Sequence, residues 1–293
     1  MTVGDPEAVP EGEWYFADTG MYGTPNYGGV YVHPAGIVVE SGIGADRDAV
    51  FDALDALDCE PEALLLTHVH LDHAGGAGFL AERYPDLTVY AHEAGARHLA
   101  EPGRLVEGTK RAVGDMWEFY AEPEPVPEER IVELTDGDPV ELGDRTLRAH
   151  RCPGHAPHQV AFHDEDSNVA FVGDAAGLWV PGREEVVPTS PPPQFNLDAC
   201  LDDLDTLRGL GADRLCYTHF GPGAGDPDAA LSAYAGALRE FVERVRLLRE
   251  EGKDPGETLA EEYERRFADV WGARKAREEA KLNVRGVSDY LGE

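Results

Sequence analysis

Short apolar runs separated by turn residues fill the first three quarters of the chain, and long helix-compatible stretches fill the last. Residues 28–32 and 36–40 read as strands around a Pro-containing turn. In 46–57, Phe51, Leu54 and Leu57 fall at helical spacing. Ala63-Leu64-Leu65-Leu66 is an apolar run of buried-strand length. A helix is predicted over 75–84, stopped by Pro85, then a strand over 87–91 and helices over 93–100 and 109–120. Residues 121–129 (AEPEPVPEE) form a Pro/Glu linker. After it the pattern turns to short strands over 130–134, 138–142, 145–151, 159–163 and 169–172. The Pro-rich stretch 188–194 is predicted stiff and extended, followed by a helix over 201–210 and a last strand over 214–217. From Pro227 onward nearly everything is helix-compatible, notably 231–250 and 258–281. This order suits an α/β fold of two packed sheets with helices outside.

Charge narrows the partners. Asp and Glu number 57 against 25 Lys and Arg, a formal net charge of −32, and only Lys110, Lys253, Lys275 and Lys281 are lysines. The acids are scattered along the whole length, which predicts a solvated acidic shell and a salt-adapted, halophilic protein. No nucleic-acid partner is expected, because phosphate binding needs a cationic surface. No run of about eighteen apolar residues occurs, so no membrane span is expected. The start MTVGDPEAVPEGEWYF shows no basic segment followed by an apolar one, which predicts no secretory leader and a cytoplasmic location. Cys59, Cys152, Cys200 and Cys216 form no CxxC pair and are expected to be reduced and buried.

The chemistry concentrates at strand ends. Thr67-His68-Val69-His70-Leu71-Asp72-His73 directly follows the apolar strand 63–66. Neutral imidazole nitrogen and carboxylate oxygen suit zinc, and iron or manganese too. His68 and His70, two apart on extended backbone, share a face and can grip one metal. Asp72 and His73 need a turn to converge on a second, and Gly75 and Gly76 are expected to supply backbone freedom for it. His155 in CPGHAPH, Asp174 in FVGD and His219 in YTHFGP each follow the end of another apolar strand. Open sheets place their sites at such ends. His158 is expected to line the pocket and take part in catalysis. His33, His92, His98, His150 and His163 read as structural or surface residues, and Trp117 to Tyr120 as packing.

Over about residues 13 to 225 these motifs resemble the metallo-β-lactamase superfamily, an αββα sandwich of two mixed sheets. The resemblance implies a catalytic domain over 1–225 and a helical C-terminal extension over 226–293, which in relatives caps the site or supports a homodimer. It implies that His68, His70 and His155 hold one divalent metal, that Asp72, His73 and His219 hold another, and that Asp174 bridges them. It further implies a hydroxide shared by the two ions, zinc being the foremost choice of metal, with Asp72 orienting the hydroxide. Glu40, where the superfamily usually has Asp, takes the place of a residue supporting the metals from behind.

Within the superfamily the chain is similar to the glyoxalase II (hydroxyacylglutathione hydrolase) branch. It also resembles uncharacterised prokaryotic hydrolases with the Gly-His-Ala-Pro-His, Gly-Asp-Ala-Ala-Gly and Thr-His-Phe-Gly-Pro forms. The implied function is hydrolysis of a small-molecule thioester or other carboxylic ester. The basic glutathione motif of glyoxalase II is not recognisable. Gly177 stands where acyl-homoserine lactonases of this fold carry tyrosine, against a lactonase, and the full Asp-His pair speaks against antibiotic hydrolysis. Alternatives are a mononuclear iron thiol or persulfide dioxygenase, which needs fewer of these ligands, an RNA-processing nuclease, disfavoured by the charge, and a non-catalytic binding protein, which would have lost ligands.

Overall fold

Alternation of side chains along each strand sorts this chain into layers. The computed structural model describes residues 3–183 and 185–292. A seven-stranded sheet runs in chain order: β1 Pro6–Ala8, β2 Tyr15–Asp18, β3 Gly29–His33, β4 Ile37–Val39, β5 Ala63–Leu65, β6 Thr88–His92 and β7 Ile131–Leu134. β1 to β4 are antiparallel neighbours; β4 to β7 are parallel, joined by helical crossovers. The helices are α1 Arg47–Ala56, α2 Leu71–Ala74, α3 Ala77–Arg83, α4 Glu93–Ala100 and α5 Gly103–Val113.

A second, six-stranded sheet follows, with β8 Pro139–Leu142, β9 Arg145–Arg151, β10 Val160–Asp164 and β11 Val169–Gly173. A separate hairpin of β12 Leu178–Val180 and β13 Glu185–Val187 and the helix α6 Leu197–Leu210 intervene before β14 Arg214–Tyr217 and β15 Gly221–Pro222. β14 pairs parallel with β11, so the sheet order is β15-β14-β11-β10-β9-β8. Three helices close the described chain: α7 Pro227–Glu250, α8 Pro255–Trp271 and α9 Ala273–Tyr290. Asp226 and Asp254 cap α7 and α8, each followed by a proline preset for the first turn.

The sheets stack face to face. Ile37, Val39 and Leu65 of one meet Leu147, Phe162 and Phe171 of the other in a buried layer. The alternate residues Val38 and Leu64 turn outward to α1, α3 and α4. On the far side, Ala170, Val172 and Leu215 pack against α6 and the three C-terminal helices. The result is the expected αββα order of layers, with the helical C-terminal region against the second sheet.

Several sequence expectations need correction. The linker does not separate the sheets: β7, just past it, pairs with β6 in the first sheet, and the break falls between β7 and β8. The helix expected over 109–120 lies at Gly103–Val113, ends at Gly114 with φ +54°, and passes into a 3-10 turn over Gly114–Phe119. The stretch 188–194 is irregular to Pro191 and then turns. Strands β1, β2, β12 and β13 were not anticipated. The four cysteines are free and buried, as expected. Among the described residues no helix is long and apolar enough to cross a membrane.

Candidate metal centre

Each expected ligand lies just beyond the C-terminal end of a strand. After β5 the chain runs extended through Thr67 to His70, then winds into the single turn α2, which swings Asp72 and His73 back toward the strand ends. Gly75 and Gly76 sit at ordinary negative φ, so they are not there for conformational freedom. They are there for room: a Cβ would come 2.4 Å from the Leu71 carbonyl oxygen at Gly75, and 2.3 Å from that of Ser41 at Gly76. Gly173 needs both: its φ is +51°, and a Cβ would lie 2.4 Å from Thr67 Oγ1. It delivers Asp174, while the turns after β9 and β14 deliver His155 and His219.

Three groups of side chains bring one donor atom each to within 4.8 Å of one another: His68, His70 and His155; His68, His73 and Asp174; and Asp72, His73 and His219. In the first group His70 Nδ1 stands 2.9 Å from His68 Nε2 and 3.2 Å from His155 Nε2. Asp174 reaches both sides, with Oδ2 3.4 Å from His155 Nε2 and Oδ1 3.6 Å from His73 Nε2 and 3.4 Å from His219 Nε2. Asp72 Oδ2 lies 3.9 Å from both His73 Nε2 and His219 Nε2. All seven expected ligands therefore converge.

The nitrogens turned away from the cluster fix which ring atoms are bare. His219 Nδ1–H donates to the Tyr27 carbonyl at 2.7 Å, and His73 Nδ1–H to Glu40 Oε1 at 3.0 Å. Thr67 gives its hydroxyl proton to Glu40 Oε1 at 2.5 Å, so at 3.1 Å it accepts from His68 Nδ1–H. Lone pairs of His68, His73 and His219 thus face inward. Buried His73 Nε2 and Asp174 Oδ1 have no hydrogen-bond partner. Inward-facing lone pairs with orphaned buried acceptors are costly unless a cation sits among them. The donor set thus fits divalent metal ions. Behind it, Glu40 is wholly buried and also accepts from Thr218 Oγ1 at 2.9 Å. It holds a left-handed φ of +70°, a strained geometry for a side chain and a mark of functional sites.

Charge follows the geometry. Burial pushes His155 down to about 3, and holds His68 and His70 below the usual histidine range. Burial also opposes charge on His73, but Glu40, Asp174 and Asp72 outweigh it and raise its pKa. The same burial penalty on Asp174 is overcome by His155, His73 and His219, which keep it ionised.

His158 stacks beside His68 at 6.0 Å, and burial takes it down to about 2. Its Nδ1 accepts from the Val69 N–H at 3.4 Å, which leaves the proton on Nε2. His92 caps α4 by accepting from Ala94 N–H, and His33 packs edge-on to Trp14. His98 instead lines the cavity over the cluster, a place that its sequence neighbourhood did not signal.

That cavity measures about 360 Å³. Its walls include Tyr22 and Tyr120, whose hydroxyls meet at 2.6 Å, Pro191 to Gln194, and α9. The α9 wall is tied in by buried Asn283. Its Oδ1 accepts the Ser190 N–H at 2.6 Å and its Nδ2 donates to the Pro188 carbonyl at 3.1 Å. Gly286 lets Ser190 approach, since a Cβ there would lie 1.9 Å from the Ser190 carbonyl oxygen. Thr189, between those anchors, brings its hydroxyl 3.5 Å from Asp174 Oδ2.

Fold and site together define a candidate metal centre at the strand ends of an αββα sandwich. The chain belongs to the metallo-beta-lactamase superfamily, which it matches over residues 35–219. It is 28% identical over 159 residues to the metallo-beta-lactamase fold-containing protein ST1585 of Sulfurisphaera tokodaii, covering 53% of this chain and 58% of that protein. It is 33% identical over 141 residues to the acyl-coenzyme A thioesterase MBLAC2 of Bos taurus, covering 46% of this chain and 47% of the relative. With the hydroxyacylglutathione hydrolase of Aeromonas salmonicida it shares 28% identity over 181 residues, 62% of this chain and 55% of the relative. The chain thus matches roughly half the length of these curated relatives. Among solved structures, the ST1585 crystal structure superposes with a TM-score of 0.70 at 22% identity, covering 97% of this chain and 98% of that one. The metallo-beta-lactamase family protein TTHA1429 of Thermus thermophilus does so with 0.61 at 24%, covering 98% and 91%. At these identities the likeness is one of fold.

Proposed function

We propose that this chain is a dinuclear metal-dependent hydrolase, with zinc as the metal and a thioester or other carboxylic ester as the substrate. One observation carries the reading: the two oxygens of Asp174 face two separate sets of nitrogen donors, His155 on one side and His73 with His219 on the other. His68, His70 and His155 would hold one ion, and Asp72, His73 and His219 the other, with Asp174 shared. Divalent ions so held lower the pKa of water toward about 7 and polarise a carbonyl oxygen. The similarity to a thioesterase and to a hydroxyacylglutathione hydrolase supports the substrate class.

The protein's own groups bind, orient and move protons. Asp72 has 27% of its side chain exposed toward the cavity, and its carboxylate takes up the proton released when water attacks. His158 offers a neutral Nε2–H to the substrate from the cavity wall. Leu71 and Met116 exclude water from the acyl group. We place residues 1–225 as the catalytic unit and 226–293 as a helical extension that walls its pocket, in a cytoplasmic setting.

The test is metal content by elemental analysis, with a thioester and lactone panel assayed on the same sample in molar salt. About two zinc ions per chain with thioester turnover are expected. One iron per chain without hydrolysis overturns the reading and favours the dioxygenase.

A further inference from the structure

The cavity carries the opposite charge to the molecule around it. The chain bears −32, yet Arg97 of α4, Arg104 of α5, and Lys275 and Arg285 of α9 all line this one pocket. Beyond the acidic residues of the metal cluster, the lining carboxylates are Glu278 and Glu279, and both face lysines. Glu279 Oε2 accepts from Lys275 Nζ at 2.6 Å, and Glu278 lies 3.6 Å from Lys281.

Elsewhere arginine commonly has a carboxylate in hand, as in Arg83 with Asp55, Arg183 with Asp269, and Arg277 with Glu257 and Glu264. Among the described residues, no carboxylate lies within 4.0 Å of Arg97, Arg104 or Arg285. Arg285 donates to the Ala112 carbonyl, and acids outnumber bases more than two to one, so three arginines without a carboxylate at one pocket are not explained by a shortage of partners. Deeper in, Lys275 is 11% exposed and lies over the rings of Tyr22 and Tyr27 at 4.7 and 4.8 Å. Among the described residues one acceptor, Glu279, serves its three N–H donors. The same lining also includes the apolar side chains of Leu105, Val113, Met116 and Leu282.

We propose that Arg97, Arg104 and Arg285 form an anion-binding rim that selects esters carried on a negatively charged thiol, with the carrier's charged end at the mouth. The planar guanidinium fork matches both phosphate and carboxylate oxygens. A positive cleft in a negative body also draws an anion toward the one place where it can bind. The inference rests on the hydrolase reading for the bond that breaks, and not for the anion site itself.

The experiment compares three butyryl thioesters: of coenzyme A (phosphates), of glutathione (carboxylates), and of neutral N-acetylcysteamine. Each is assayed on the wild-type protein, on the R97Q/R104Q double variant and on R285Q. At least one charged thioester should exceed the neutral one about tenfold in kcat/KM. The arginine variants should remove that advantage through KM and leave the neutral thioester within about twofold. The thioethers S-propyl coenzyme A and S-propyl glutathione, which cannot be hydrolysed, are titrated by calorimetry in parallel. If no thioester turns over but a thioether binds and the double variant weakens it about tenfold, the hydrolase reading fails and the rim stands. Equal treatment of charged and neutral thioesters, or thioether binding indifferent to the arginines, overturns the proposal.

Discussion

Glu40→Gln probes the metal centre from behind. The wild-type carboxylate accepts on Oε1 from Thr67 Oγ1 at 2.5 Å, Thr218 Oγ1 at 2.9 Å and His73 Nδ1 at 3.0 Å. Its Oε2 takes a longer contact of 3.4 Å from the Thr67 N–H. Glutamine keeps the volume and can set its carbonyl oxygen at Oε1, so the three short bonds survive without the charge. A bond to an ionised group contributes about 1.5–3 kcal/mol and a neutral one about 1. Because the three share one oxygen, the loss is about 2 kcal/mol in all rather than their sum. Loss of such an outer partner typically weakens a metal about 10- to 100-fold. The set holding His73 should lose most, since His73 touches Glu40 directly; His68 feels it through Thr67. The assay is a chelator-competition titration of zinc, with the melting temperature of the metal-free protein measured alongside. Glu40→Ala serves as the harsher control, leaving four buried donors without their acceptor. A Glu40→Gln protein that melts lower but binds both ions within about twofold of wild type would show that Glu40 supports the fold and not the metals.

Asp174→Ala should drop metal content from about two ions to one or none and abolish turnover, since its two oxygens face both donor sets; full activity would refute the two-metal reading. Asn283→Ala removes the acceptor of Ser190 N–H and the donor to the Pro188 carbonyl, costing about 3 kcal/mol, and an unchanged melting temperature would count against that tie. Burial raises the Asp203 carboxyl to about 7, so the fold favours its protonated form. Its contribution is full below the ordinary value of 3.8 and is lost as pH rises through about 7. Asp203→Asn should therefore melt higher than wild type at about pH 8, by up to about 4 kcal/mol of stability, with the gain vanishing near pH 4. With −32 charges in one chain, the melting temperature should climb from dilute buffer to about 2 M KCl; equal or greater stability in dilute buffer would sink the salt-adapted reading.

The convergence of the seven expected ligands was readable because each follows an apolar strand end, from one residue on at Asp174 to eight at His73, and that placement survives in the one-dimensional pattern. β9 at Arg145–Arg151, β14 at Arg214–Tyr217 and α4 at Glu93–Ala100 match expectation in both ends. Elements whose identity depends on distant partners were not readable. β2, with Tyr15 to Asp18, is strand because β1 and β3 flank it, and β12 exists only as the mate of β13. Gly103 and Gly108 masked α5, whose start no side chain caps. The Tyr27 carbonyl that orients His219 comes from 192 positions away, and a backbone oxygen leaves no mark in a sequence. Glu40 could be placed by analogy, but its left-handed backbone and its ties to Thr67 and Thr218 needed coordinates.

The tie between Asn283 and Ser190 has a temporal side. A ribosome makes the chain from its N-terminus, so the ligands from His68 to His219 all emerge before α9 does. Until α9 arrives, Pro188 and Ser190 lack their anchors and the pocket lacks a wall. The nascent protein thus passes through a stage with its ligands made and its cleft open.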